Sequence, residues 1–140
     1  MRQAYYGVNS TFFDGQANEI ARFNELTRKL FKTGLEKEQE LALMSEREAL
    51  KGAIQSQLSD HGTLLGFLSL EQIEEVEAAV QSLPNDDNKM LLGSNRIPYA
   101  RLEEAIGALA AVEQTEPVAN LIFFLERAKQ NKQHVIVWMM

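Results

Sequence analysis

His134-Val135-Ile136-Val137-Trp138-Met139-Met140 is the stretch that decides the fold. It is β-branched and apolar and lacks the polar alternation of a half-solvated strand, the pattern of a strand covered on both faces. A single strand cannot satisfy its own backbone groups. Its natural partner is the aromatic, β-favouring run Ala4-Tyr5-Tyr6-Gly7-Val8, which stops at Asn9-Ser10-Thr11 before Phe12-Phe13 and the turn pair Asp14-Gly15. The two runs predict a small sheet made of the N- and C-terminal strands.

Between them the period is helical. Ile20, Phe23, Leu26 or Thr27, Leu30 and Phe31 recur at three or four residues until Gly34, and Glu36 to Leu58 continues through Leu43, Ala49 or Leu50, Ile54 and Leu58 with a narrow apolar stripe, so the second helix should lie more exposed. Gly52 weakens that helix by about 1 kcal/mol relative to alanine. Ser59-Asp60-His61-Gly62 reads as a stop, and Thr63-Leu64-Leu65-Gly66-Phe67-Leu68 as an apolar connector. Ser69 with Gln72 three residues later forms a capping box opening a third helix, whose buried face is Ile73, Val76, Val80 and Leu83. Pro84 and the turn Asn85-Asp86-Asp87-Asn88 end it, and Met90-Leu91-Leu92-Gly93 is an edge strand or a tucked loop. A fourth helical pattern follows Pro98 (Leu102, Ile106, Leu109, Val112), and a fifth opens at Thr115 or Glu116 with Pro117 in its first turn. The prediction is an α+β fold, about five helices around one core, in a single domain spanning 1–140.

Length and composition agree, since 140 residues, 45% hydrophobic and 24% charged, describe one ordinary globular domain. With no cysteine there is no disulfide, thiol nucleophile or cysteine-held metal. The N-terminus lacks the apolar core of a signal peptide, and no run approaches the roughly 18 apolar residues of a membrane span, so a cytoplasmic location without a membrane partner is expected. A net charge of −6 without a basic patch argues against a nucleic-acid partner.

The second half of the chain resembles the YfbM-like family of uncharacterised bacterial proteins in Gly66-Phe67-Leu68-Ser69-Leu70 opening a helix, in Ile97-Pro98-Tyr99, and in Phe123-Phe124-Leu125-Glu126-Arg127-Ala128 before the terminal strand. The N-terminal half departs from that family in lacking a helix with tryptophan and histidine. The resemblance implies a bacterial α+β domain and carries no functional residues with it.

Chemistry-bearing residues are sparse. Only His61 and His134 could serve as imidazole base or ligand, and neither has a histidine or glutamate at helical ligand spacing. His61, in Asp60-His61-Gly62, is the one catalytic candidate, a base with a carboxylate beside it, although Asp, His and Gly are ordinary at a helix end. His134 should begin a strand at the surface. The glycines form no phosphate-binding motif and the serines no nucleophile elbow. Asn85-Asp86-Asp87-Asn88 lacks the glycine and distal glutamate of a calcium loop, so no metal and no cofactor is expected.

What stands out is charge. Residues 71–116 hold ten acids against three bases, whereas the other residues balance ten acids with eleven bases. If the helices carrying Glu71, Glu74, Glu75, Glu103 and Glu104 adjoin, their wet faces form a patch that steers a basic partner. The expected function is therefore a non-enzymatic protein-binding domain, such as an inhibitor or immunity-type protein acting on a basic partner. The alternatives are a small enzyme or ligand-binding domain with a cleft near Asp60-His61-Gly62, and a structural homo-oligomer.

Overall fold

The computed structural model describes residues 2–32, 34–81 and 91–139. Four strands, β1 (Arg2–Val8), β2 (Thr63–Ser69), β3 (Asn95–Ile97) and β4 (His134–Met139), form one antiparallel sheet in the order β2-β1-β4-β3. The terminal strands pair at its centre, from Gln3 opposite Met139 to Val8 opposite His134.

Side chains alternate between the faces of a strand, and here both faces meet helices. Tyr5, Val135 and Val137 point into one apolar cluster; Val8, Ile136 and Trp138 point into the other. The missing alternation in residues 135–138 thus has its cause, since all four side chains are fully buried. The sheet divides the expected core into two. On the Trp138 side lie α1 (Ser10–Gly15), α2 (Ala17–Leu30) and α3 (Lys37–His61), contributing Phe13, Ile20, Phe23, Ile54 and Leu58. On the Tyr5 side lie α4 (Leu70–Val80), α5 (Leu102–Ala110) and α6 (Glu116–Gln130), contributing Ile73, Val76, Leu102, Leu109, Leu121 and Leu125.

The helices of the first layer differ in how they are held. α3 runs 25 residues yet buries only Ile54 and Leu58, as its narrow stripe predicts, and Gly52 does not interrupt it. It is fastened to α2 at the surface. Arg22 donates from Nε and Nη2 to the Glu46 carboxylate at 2.9 and 3.1 Å, and the Arg47 guanidinium lies 4.6 Å above the Phe23 ring.

Two segments differ from their sequence reading, and a third, which the sequence leaves open between edge strand and tucked loop, packs on the core outside any strand. The connector at 63–68 is strand β2, stitched to β1 with a register shift between Tyr5 and Tyr6. Gly66 on it lets α6 come close, because a Cβ there would stand 2.1 Å from Cε1 of Phe124. Ser10–Gly15 forms a further short helix, opened by Asn9, whose Oδ1 accepts from the Phe12 N–H at 2.8 Å. Of the run 90–93, Leu91 is buried and its carbonyl accepts from the Tyr5 hydroxyl at 2.9 Å, while Gly93 turns the chain at φ 83° toward β3. Leu83, Pro84, the 85–88 turn and Met90 lie outside the described residues. Among the described residues no helix is long and apolar enough to cross a membrane.

Candidate functional site

The acidic residues singled out from sequence sit on α4 and α5, and the structure separates them into two kinds. α4 is set in register by its cap: Ser69 Oγ accepts from the Gln72 N–H at 3.2 Å, and Gln72 Oε1 accepts from the Ser69 N–H at 2.9 Å. That start turns Ile73, Val76 and Val80 onto the core and leaves Glu71, Glu74, Glu75 and Glu77 in water. Among the described residues no lysine or arginine lies within ion-pair distance of these four.

Glu103 and Glu104 are different. Lys129 of α6 lies 3.9 Å from Glu103, and Arg101 lies 3.7 Å from Glu104, one helical turn earlier. Such exposed pairs add little stability, but each places a cation beside the carboxylate and cancels much of its field at a distance. Of these acidic residues, those on α4 therefore keep most of their field.

One further carboxylate joins them. The connection after α5 is folded back by Gln114, whose side-chain amide donates to the carbonyls of Leu109 at 2.9 Å and Val112 at 2.7 Å. Thr115 then caps α6, its side chain accepting from the Val118 N–H. This brace brings Ala111, Val112, Glu113 and Thr115 against Glu75, Ala78 and Ala79 of α4, enclosing a groove of about 350 Å³. Glu75 and Glu113 are both exposed on its walls, neither within ion-pair distance of a cation among the described residues, and alanine and valine line much of the rest. Chemically it matches a lysine or arginine side chain, whose methylenes suit alanine and valine and whose head suits carboxylate. Glu113 escaped the sequence reading as a site residue because a loop position has no helical face from which to read its direction.

The two histidines lie in different settings. His61 ends α3 in solvent beside an equally exposed Asp60, and its ring packs on that of Phe12, with centroids 5.3 Å apart. Gly62 leads directly into β2, so Asp60-His61-Gly62 is a helix-to-strand joint. His134 does begin β4, half-buried, and both its ring nitrogens are in use. Nδ1 accepts from the Tyr99 N–H at 2.8 Å, which leaves Nε2 to donate to Ser10 Oγ at 2.9 Å, and the ring stacks on Phe13 at 4.4 Å. This ties β4 to α1. Among the described residues no group of three or more histidine, aspartate or glutamate side chains is placed to hold a metal ion.

No protein-family model, curated protein or solved structure matches this chain.

Proposed function

We propose that this chain is a non-enzymatic, cytoplasmic protein-binding domain that takes a basic side chain of its partner between Glu75 and Glu113. The observation that supports this reading is the groove of about 350 Å³ in which two carboxylates, neither paired with a cation among the described residues, flank alanine and valine. Glu71 and Glu74 on the same helix extend the negative field along the approach, where it raises the rate of encounter with a cationic surface. A partner such as a nuclease, whose own anionic substrate demands a basic surface, would be inhibited by occupation of that surface. Glu103 and Glu104, already beside Lys129 and Arg101, contribute less.

A capped hexa-arginine peptide, titrated calorimetrically at low and high salt, tests the reading. The double variant Glu75→Gln/Glu113→Gln should weaken binding by about tenfold or more and flatten its salt dependence, whereas Glu103→Gln/Glu104→Gln should change it by less than about threefold. Equal losses from the two pairs would show diffuse attraction to net charge and remove the groove from the account.

A further inference from the structure

A second groove, of opposite character, lies on the Trp138 side of the sheet at its β3 end. It measures about 500 Å³ and is lined by Phe13, Ala17, Ile20, Ala21, Asn24, Asn95, Arg96 and Pro98. In a chain with twenty acidic residues, none of the described residues lining this groove is acidic, and Arg96 is the one charged group among them. Among the described residues no carboxylate lies within ion-pair distance of that guanidinium, although the side chain is only half-exposed. A partly buried cation normally recruits an anion, because removing it from water without one is costly.

The guanidinium is held in place before any ligand arrives. Its Nη1 donates to the Phe13 carbonyl at 2.7 Å, and its plane sits over the Phe13 ring, 4.3 Å from the centroid. Phe13 is itself stacked on His134, which is anchored at both nitrogens. One N–H is committed, and the others remain for an acceptor. Nearby, Asn24 donates one amide N–H to the Ser94 carbonyl at 2.8 Å, which fixes the side chain on the groove wall. Ala17, Ile20, Ala21 and Pro98 supply apolar surface beside this polar end.

The geometry points to a binding site for a small organic carboxylate, its carboxylate on Arg96 and a short apolar body along Ala17, Ile20 and Ala21. A planar guanidinium favours a planar carboxylate, and a pocket of this size with few polar groups suits a small molecule. The site is separate from the acidic groove of α4 and stands or falls independently of it.

Hexanoate serves as the probe, followed by amide chemical shifts of the labelled full chain, with hexanamide, inorganic phosphate and a capped tetraglutamate peptide as comparisons. Saturable shifts should appear at residues 13–24 and 94–98 with hexanoate and be absent with hexanamide. Arg96→Gln should weaken hexanoate binding by about tenfold. Since that change also frees the Phe13 carbonyl, Ala21→Glu provides a second variant: residue 21 is exposed on α2, and a tethered carboxylate there should occupy Arg96 and abolish hexanoate binding while leaving the melting temperature unchanged or raised. Shifts that persist equally in both variants would overturn the site, as would no saturable shift with hexanoate. Phosphate binding as tightly as hexanoate would overturn the role of the apolar wall, and tighter binding of the glutamate peptide would overturn the assignment to a small molecule.

Discussion

Gly66→Ala probes the contact that holds α6 against the sheet. A methyl group at residue 66 would stand 2.1, 2.3 and 2.8 Å from Cε1, Cζ and Cδ1 of Phe124, far inside van der Waals contact. The ring has little freedom to retreat, being buried and resting on Tyr5 with centroids 5.5 Å apart. Overpacking of this kind costs about 1–3 kcal/mol, and replacing glycine at a permitted backbone geometry recovers about 0.4–1 kcal/mol from the unfolded chain. The net loss should be about 1–2 kcal/mol. At an unfolding entropy of about 2.1 cal/mol/K per residue, a chain of 140 residues loses about 3–7 °C of melting temperature. The single tryptophan, Trp138, buried with its ring 4.8 Å from that of Phe23, reports urea unfolding by its fluorescence. The decisive step is the cycle with Phe124→Leu, which removes the clashing ring edge. In that background Gly66→Ala should become neutral or stabilising, a coupling of at least about 1 kcal/mol. Additive effects, or a Gly66→Ala variant as stable as the parent, would refute the claim that ring and glycine exclude one another.

Two other outcomes follow from single contacts. Ser69→Ala should lower stability by about 0.5–2 kcal/mol in the same urea assay, because it removes the Oγ that accepts from the Gln72 N–H at the start of α4. Tyr5 carries a pH signature: burial pushes its phenol well above the ordinary tyrosine range, so the native state keeps a proton that the unfolded chain gives up near pH 10. The phenol's contribution is therefore complete below about pH 10 and declines as pH rises above it. Tyr5→Phe should cost about 1 kcal/mol at pH 7 by orphaning the Leu91 carbonyl, and it should reduce the alkaline fall in stability measured by urea titrations between about pH 9 and 11.

How far the sequence can be read depends on whether each signal is local. Residues 135–138 announce a doubly covered strand because four consecutive apolar side chains admit few other arrangements, and Ser69 with Gln72 announces a helix start because the capping box lies within four residues. β2 is harder. Thr63-Leu64-Leu65-Gly66-Phe67-Leu68-Ser69 breaks the two-residue alternation where its register against β1 shifts, so its identity as a strand comes from pairing with a distant segment. α1 has six residues, too few to display a helical period, and β3 has three. The acidic sites divide in the same way. Glu71, Glu74 and Glu75 are exposed as α4 predicts, but the paired state of Glu103 with Lys129 and the place of Glu113 in the groove depend on how α5 and α6 pack. Composition can total the charge of a region without showing which cations come to rest beside it.

The central position of the β1–β4 pair also constrains how the chain can assemble during synthesis. The α2–α3 hairpin can form from residues that leave the ribosome together, and β2 can find β1 soon afterwards. The inner edge of β1 has no strand to accept until β4 emerges, far later in the sequence, and β3 has no partner in the sheet at all before then. Until that moment the nascent protein carries an open strand edge in its middle and two half-covered apolar surfaces, the condition in which chains bind chaperones or one another. Folding is thus gated by the last strand to arrive, and long-range closure of this kind is slow compared with helix formation.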